Sequence, residues 1–264
     1  MNASHPMIAI EGLRKTFNAG TVNEKVATAG VSLAMSEGEF VAVIGGNGAG
    51  KSTLLNLVSG ALSADAGTIA IDGRDVTGQR EDQRARDVAR VFQDPMVGTA
   101  PMLSVEENLA LAEMRMKGRG WRAALTAERR QRYRAVLAEL GLGLESRLGT
   151  LAGALSGGQR QALALVMATL EAPRVLLLDE HTAALDPRTS AAVMQATARL
   201  VAAKRLTTLM VTHNMEHALQ YGTRIVMMAD GRVRADLSPA DKQGLTVAQL
   251  VDRFHIADDR MMLS

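Results

Sequence analysis

Gly45-Gly46-Asn47-Gly48-Ala49-Gly50-Lys51-Ser52-Thr53 fits the pattern G-x-x-x-x-G-K-[ST]. The apolar run Phe40-Val41-Ala42-Val43-Ile44 precedes it and reads as a buried parallel strand. In Thr53-Leu54-Leu55-Asn56-Leu57-Val58, which follows, the apolar residues share one helical face. Strand, glycine loop and helix together predict a nucleotide phosphate site. The glycines, Gly45, Gly48 and Gly50 among them, let the backbone turn without a Cβ clash. The N–H groups from Asn47 through Ala49 to Gly50 and the positive helix end would then face the anion. Lys51 is expected to reach the β- and γ-phosphates, Ser52 to take one Mg²⁺ position, and Thr53 to donate toward the α-phosphate.

Composition narrows the rest. With 264 residues, 47% apolar and 22% charged, the chain is expected to be a globular α/β protein. Aromatics are only 3%, so Leu, Val, Ala, Ile and 15 Met must build the core. The absence of cysteine excludes disulfides, thiolate metal ligands and thiol catalysis. No apolar run approaches the ~18 residues of a membrane helix. The start lacks a basic stretch followed by an apolar one, so a cytosolic or cytosol-facing location is expected. The net charge of +2 demands no polyanionic partner, and nucleic acid is not expected.

Short strands are expected at 7–13 and 31–35, with Asn18-Ala19-Gly20 as turn chemistry. Phe17 lies shortly before the glycine loop, where it either stacks on a nucleobase or packs an edge. Residues 67–73 read as a strand running into an Asp-Gly turn, and 88–93 as another strand ending at Gln93. Helices are predicted at 105–112 and 128–140, the latter stopped by Gly141. Between them lie Lys117 to Arg122, with Trp121, followed by Arg129, Arg130, Arg132 and Arg134. The arginines form either an anion-binding patch or a solvated helix face. Strands return at 174–179, 207–211 and 224–228, separated by helices at about 159–170, 188–203 and 214–220. That alternation predicts a parallel sheet covered on both faces. A short amphipathic helix at 245–254 closes the chain.

Two further stretches carry chemistry. Val175-Leu176-Leu177-Leu178-Asp179-Glu180 is a buried strand ending in two carboxylates, at the sheet edge where working residues collect. Asp179 is expected to bind Mg²⁺ directly or through water, and Glu180 to polarise the attacking water as general base. Leu155-Ser156-Gly157-Gly158-Gln159 reads as a helix start, with Ser156 and Gln159 forming a capping box. Two glycines inside a first turn cost helix stability, so something must approach that backbone closely. A serine-capped helix N-terminus is a second phosphate-binding end. Two such ends on one chain suggest a dimer with each nucleotide held between two copies.

Over residues 7–235 the chain resembles the ATP-binding-cassette (ABC) ATPases. The motifs stand in family order: the adenine-stacking position (Phe17), phosphate loop, Q-loop (Gln93) and signature (155–159). They continue with Asp179 and Glu180, the D-loop Ala184-Leu185-Asp186 and the switch His213. The resemblance implies a P-loop NTPase (RecA-like) α/β core with a mostly parallel sheet, an N-terminal antiparallel β subdomain and an inserted helical signature subdomain. The expected division is 1–93 with 158–235 for the core, 94–157 for the helical insertion and 236–264 for a helical tail. It implies ATP and Mg²⁺ as cofactors, Gln93 as a link from metal or water to the helical subdomain, and Asp186 at the opposite active site. His213 would contact the γ-phosphate. Phe17 stands where tyrosine is commoner, and His181 where the family has proline.

Residues 91–108 and 179–187 resemble more finely a group of bacterial importer ATPases associated with aromatic amino acids. That implies a homodimer on the cytoplasmic face of the membrane, driving permease subunits and working with a solute-binding protein. Met96, Val97, Met102 and Leu103 are the expected permease-facing residues. The competing readings are an exporter ATPase, or a soluble relative acting on DNA or ribosomes. The latter lacks its hallmarks here, coiled-coil arms or a second cassette.

Overall fold

A computed structural model describes residues 5–117 and 125–259; residues 118–122, including Trp121, lie outside them. The chain divides into two compact units, the first formed by Met1–Val88 and Leu206–Ser264, the second by Ala89–Arg205.

The first unit begins with β1 (Ile8–Phe17) and β2 (Lys25–Met35), antiparallel from Ile8 opposite Met35 to Phe17 opposite Lys25. Both strands are longer than predicted, and Phe17 ends a strand instead of sitting in a polar connection. The break in alternation explains the short prediction. Ile8, Ile10 and Leu13 all face the core because a bulge at Gly12, φ +58°, inserts one residue between the last two. The unit continues with β3 (Phe40–Gly45), α1 (Lys51–Ser59), β4 (Ala66–Ile71), β5 (Arg74–Asp75) and the short α2 (Glu81–Arg84). The expected Asp-Gly turn joins β4 to β5: Asp72 and Gly73 both have positive φ, as a two-residue hairpin requires. These strands form an antiparallel sheet in the order β2-β1-β4-β5.

In the second unit β6 (Val88–Val91, starting at its edge) leads to α3 (Val105–Lys117), α4 (Ala127–Ala138), α5 (Gly157–Thr169), β7 (Val175–Asp179) and α6 (Pro187–Lys204). Strands β6 and β7 are hydrogen-bonded neighbours. Helix α5 is buried along most of its length and packs against α3, α4 and α6. Three of the four arginines of α4 are held in ion pairs to α3. Arg129 and Arg132 pair with Glu113, which is 1% exposed, and Arg130 pairs with Glu106. Tyr133 donates its hydroxyl to the same Glu113, and burial first, then that carboxylate, pushes the phenol's pKa up. Most of this arginine-rich face is therefore the other half of an ion-paired helix seam, not an open cationic patch.

The chain returns to the first unit with β8 (Thr207–Val211), α7 (Met215–Tyr221), β9 (Arg224–Ala229), β10 (Arg232–Leu237), α8 (Pro239–Lys242) and α9 (Val247–Asp259). Here the sheet order is β10-β9-β3-β8, with β3 parallel to both neighbours and β10 antiparallel to β9. Phe40 to Ile44 are all buried, which is why β3 reads as an unbroken apolar run. Strand β10 was not predicted. Its signal was Asp230-Gly231, both with positive φ, between the paired Ala229 and Arg232.

Candidate nucleotide site

In the first unit, Val43 of β3 lies opposite Val211 of the parallel β8. Two residues beyond each partner come Gly45 and His213, so the glycine loop and the histidine leave the same edge of the sheet from adjacent strands. The loop is fixed by backbone packing. A Cβ on Gly50, which has φ +95°, would collide with the Ala27 carbonyl, and one on Gly45 with the Met228 carbonyl. The β9–β10 turn completes the clamp: Gly231 donates its N–H to Ala49 O at 3.1 Å and accepts from Ala29 at 2.8 Å.

Gly50 caps α1 from the left-handed region with no side-chain hydrogen bond to the helix end, so no side chain of the cap competes for the first-turn N–H groups. Ser52 is exposed there, and Thr53 partly so. Lys51 is only 7% exposed, and its Nζ donates to Gly45 O at 2.8 Å and Gly46 O at 2.9 Å. The loop thus holds its own cation across its mouth. Phe17 is partly exposed at the end of β1. His213 is exposed, between Thr212, whose hydroxyl accepts from Asn214 N, and Asn214, whose side chain accepts from His217 N.

The second unit carries the remaining predicted residues. Gln93, Asp179 and Ala184 line one cleft of about 370 Å³ with Phe92, Asp94, Pro95 and Val97. Gln161 of α5, itself buried, donates to Phe92 O at 3.0 Å and fixes the segment leading to Gln93. Glu180 adopts φ +45°, unusual for a residue with a Cβ, directly after β7. His181 is 2% exposed and hydrogen bonds through Nε2 to Thr197 Oγ1 at 3.2 Å. The Thr197 hydroxyl already donates to Val193 O, so it accepts from His181. The residue in the family's proline position therefore ties the segment after β7 to α6.

The capping box is present: Ser156 Oγ accepts from Gln159 N, and Gln159 Oε1 accepts from Ser156 N, both at 3.3 Å. The glycines have an internal reason that sequence reasoning missed. A Cβ on Gly158 would run into the Thr189 methyl, and one on Gly157 would sit 3.3 Å from Leu185. Asp186 caps α6 by accepting from Thr189 N at 3.1 Å, and the Thr189 hydroxyl and N–H hold its carboxyl below the usual carboxylate range. The structure therefore brings signature and D-loop residues together within this unit. Only the α6 end of this contact had a local signal, Asp186-Pro187, an N-cap followed by proline at the first helical position.

Among the described residues no cluster of three or more His, Asp or Glu could cage a metal ion. Asp179 and Gln93 offer hard oxygen atoms in one cleft, which suits a Mg²⁺ that keeps most of its ligands as water and phosphate. Among them also no helix is long and apolar enough to cross a membrane.

A strand–glycine loop–helix unit, an antiparallel β region and a signature-bearing helical region define a P-loop ATPase of cassette type. The chain belongs to the ABC transporter family, whose model matches residues 28–183. It is an ATP-binding, ATP-hydrolysing cassette of that family. It is 43% identical to the tyrosine transport ATP-binding protein of Clostridioides difficile, over 95% of this chain and 100% of that one. It is 40% identical to the lipoprotein-releasing system ATP-binding protein LolD of Ruegeria pomeroyi, over 88% of this chain and 99% of the other. Among solved structures it resembles the dimeric post-hydrolysis state of the cassette MJ0796 bound to ADP and Pi. That likeness has a TM-score of 0.75 and 30% identity, covering 88% of this chain and 99% of that one.

Proposed function

We propose that this cassette powers a bacterial solute importer, as a homodimer in which two copies sandwich two MgATP on the cytoplasmic face of the membrane. Its helical stretch 94–157 acts as a subdomain that relays the stroke to separate permease subunits, and 236–264 closes the core. Phe17 stacks on the base, residues 45–53 hold the phosphates, and Ser52, Gln93 and Asp179 attend Mg²⁺. Glu180 is the general base and His213 contacts the γ-phosphate. Ser156, Gly157, Gly158, Gln159 and Asp186 reach the partner copy's nucleotide. Amino acids are the solute class, on the likeness to the tyrosine transport protein, and a solute-binding protein delivers them.

The observation that carries this reading is an apolar surface beside the cleft holding Gln93. Met96, Val97, Met102 and Leu151 are 42%, 63%, 82% and 47% exposed. Leu103, predicted with them, is only partly exposed; Leu151 was not predicted, and the isolated bridge between Ser104 and Leu151 brings it alongside. Apolar side chains of this size clustered on a surface suit a protein partner. Purification from detergent-solubilised native membranes tests it: a polytopic permease is expected to co-purify, and ribosomes or DNA-processing proteins without one would overturn it. The likeness to LolD favours a second reading, a cassette that releases substrate outward; a co-purifying permease with no solute-binding protein would support it. Glu180→Gln is expected to cut phosphate release by about 10²–10⁴-fold while leaving ATP binding intact.

A further inference from the structure

Asp179 has a resident partner. Arg90 of β6 donates from Nη2 to Asp179 Oδ2 at 2.5 Å, with the two side chains only 11% and 15% exposed. The guanidinium also lies over the Phe92 ring, its central carbon 4.7 Å from the ring centroid. Phe92, Asp179 and Gln93 line the same cleft, so both groups that Arg90 touches, the acid and the ring, stand in its wall. Arg90 is an outlier on its own strand, whose other residues, Val88, Ala89 and Val91, are all buried and apolar. A charged side chain that is almost buried needs a partner, and here the partner is the acid that ends β7.

The pair has a consequence for any cation approaching Asp179. A divalent ion at that carboxylate would meet a positive charge already hydrogen-bonded to it, in a partly desolvated wall where repulsion is poorly screened. Only further negative charge delivered with the ion offsets that repulsion, and nucleotide phosphates deliver it.

We propose that Arg90 is a built-in countercation of Asp179 that weakens the site's hold on Mg²⁺ and thereby makes metal binding depend on bound nucleotide phosphates. This rests on the reading of Asp179 as the metal-side acid. A guanidinium suits the role because its planar fork can hold the carboxylate while its face lies over the Phe92 ring. A purely structural tether makes the opposite forecast: losing it would loosen Asp179 and raise the Mg²⁺ requirement, or leave it unchanged.

The test is a Mg²⁺ titration of fluorescent ADP binding to the whole chain, read as the half-saturating Mg²⁺ concentration. Arg90→Met is expected to lower that concentration by at least about threefold. Arg90→Lys, which keeps the charge, is expected to stay near wild type. Asp179→Asn is expected to raise it, and this arm checks the underlying reading separately. If Asp179→Asn raises the midpoint while Arg90→Met leaves it unchanged or raises it, the countercation role is overturned and the role of Asp179 stands. If Asp179→Asn has no effect, both fall. Should Arg90→Met fail to fold, the wild-type protein decides through its ¹⁵N-labelled arginine side chains. The Arg90 Nε resonance, assigned by its loss in Arg90→Lys, is expected to move when Mg²⁺ joins bound ADP. A resonance that ignores Mg²⁺ overturns the proposal.

Discussion

The molecule has two glycine-rich helix starts, and they are finished differently. At α1 the cap is a left-handed glycine with no side-chain bond to the helix end, and a lysine is folded back over the loop carbonyls. At α5 a serine and a glutamine close a reciprocal capping box. The first helix start leaves its amide donors to an incoming anion; the second already satisfies part of its own. The glycines differ in the same sense. A Cβ on Gly46 would meet nothing within 4 Å, whereas one on Gly158 would be driven into the Thr189 methyl. In the first turn packing reserves Gly45 and Gly50 but leaves Gly46 open and the helix amides uncapped; in the second both glycines lie against their own helix's neighbours.

The largest expected difference between the turns is in nucleotide binding by the monomer. Lys51→Ala is expected to weaken ADP binding by roughly 10–100-fold, the loss of a hydrogen-bonded charge on phosphate. Ser156→Ala should leave monomer ADP affinity unchanged, read by the same fluorescence titration. Equal losses would erase the distinction.

Next comes stability. Gly158→Ala is expected to destabilise the chain by about 1–3 kcal/mol through overpacking against Thr189. The double variant with Thr189→Ala should recover much of that loss in urea unfolding; no recovery would place the strain elsewhere. Ser156→Ala should cost about 1 kcal/mol as a lost cap. Gly46→Ala, by contrast, should stay within about 0.5 kcal/mol of wild type in the same experiment. A clear destabilisation there would mean that Gly46, like Gly45 and Gly50, is set by internal packing.

The smallest effect concerns the segment flanking the first turn. Burial lowers the pKa of His217, with Glu216 opposing the shift and His213 adding to it. The unfolded chain therefore takes up this proton more readily than the folded one. The associated stability is fully present above the ordinary imidazole pKa and is lost as pH falls below it. His217→Gln should flatten that slope of melting temperature against pH.

Legibility in the sequence followed the range of the interactions. The phosphate loop, the Asp72-Gly73 hairpin, the capping box at Ser156 and the strand–helix alternation rest on neighbours a few residues apart, and each could be read directly. The length of β1 was hidden because the Gly12 bulge shifts the apolar alternation by one residue. Strand β10 was hidden for a different reason: three of its six residues are charged, Arg232, Arg234 and Asp236, and only its turn announces it. The pairings Arg90–Asp179, His181–Thr197 and Gly158–Thr189 join separate elements, and no local pattern encodes which acid an arginine on another strand will meet. Candidate residues could therefore be picked out one by one, while the contacts that hold them in place could not.

Asn108 shows what such a hidden contact can accomplish. Its fully buried amide accepts from Ala100 N at 2.7 Å and donates to the carbonyls of Ala100, Leu103 and Ser104. Nearby, the Asp94 side chain and carbonyl receive the N–H groups of Met96 and Val97, and Arg160 reaches the Met96 sulfur. A stretch that reads as loop is thus preorganised, with its methionines presented outward on an already ordered backbone. A protein settling there would bury apolar surface without first freezing a flexible chain. Its affinity would respond far more to Asn108, which no partner could touch, than the size of that one side chain suggests.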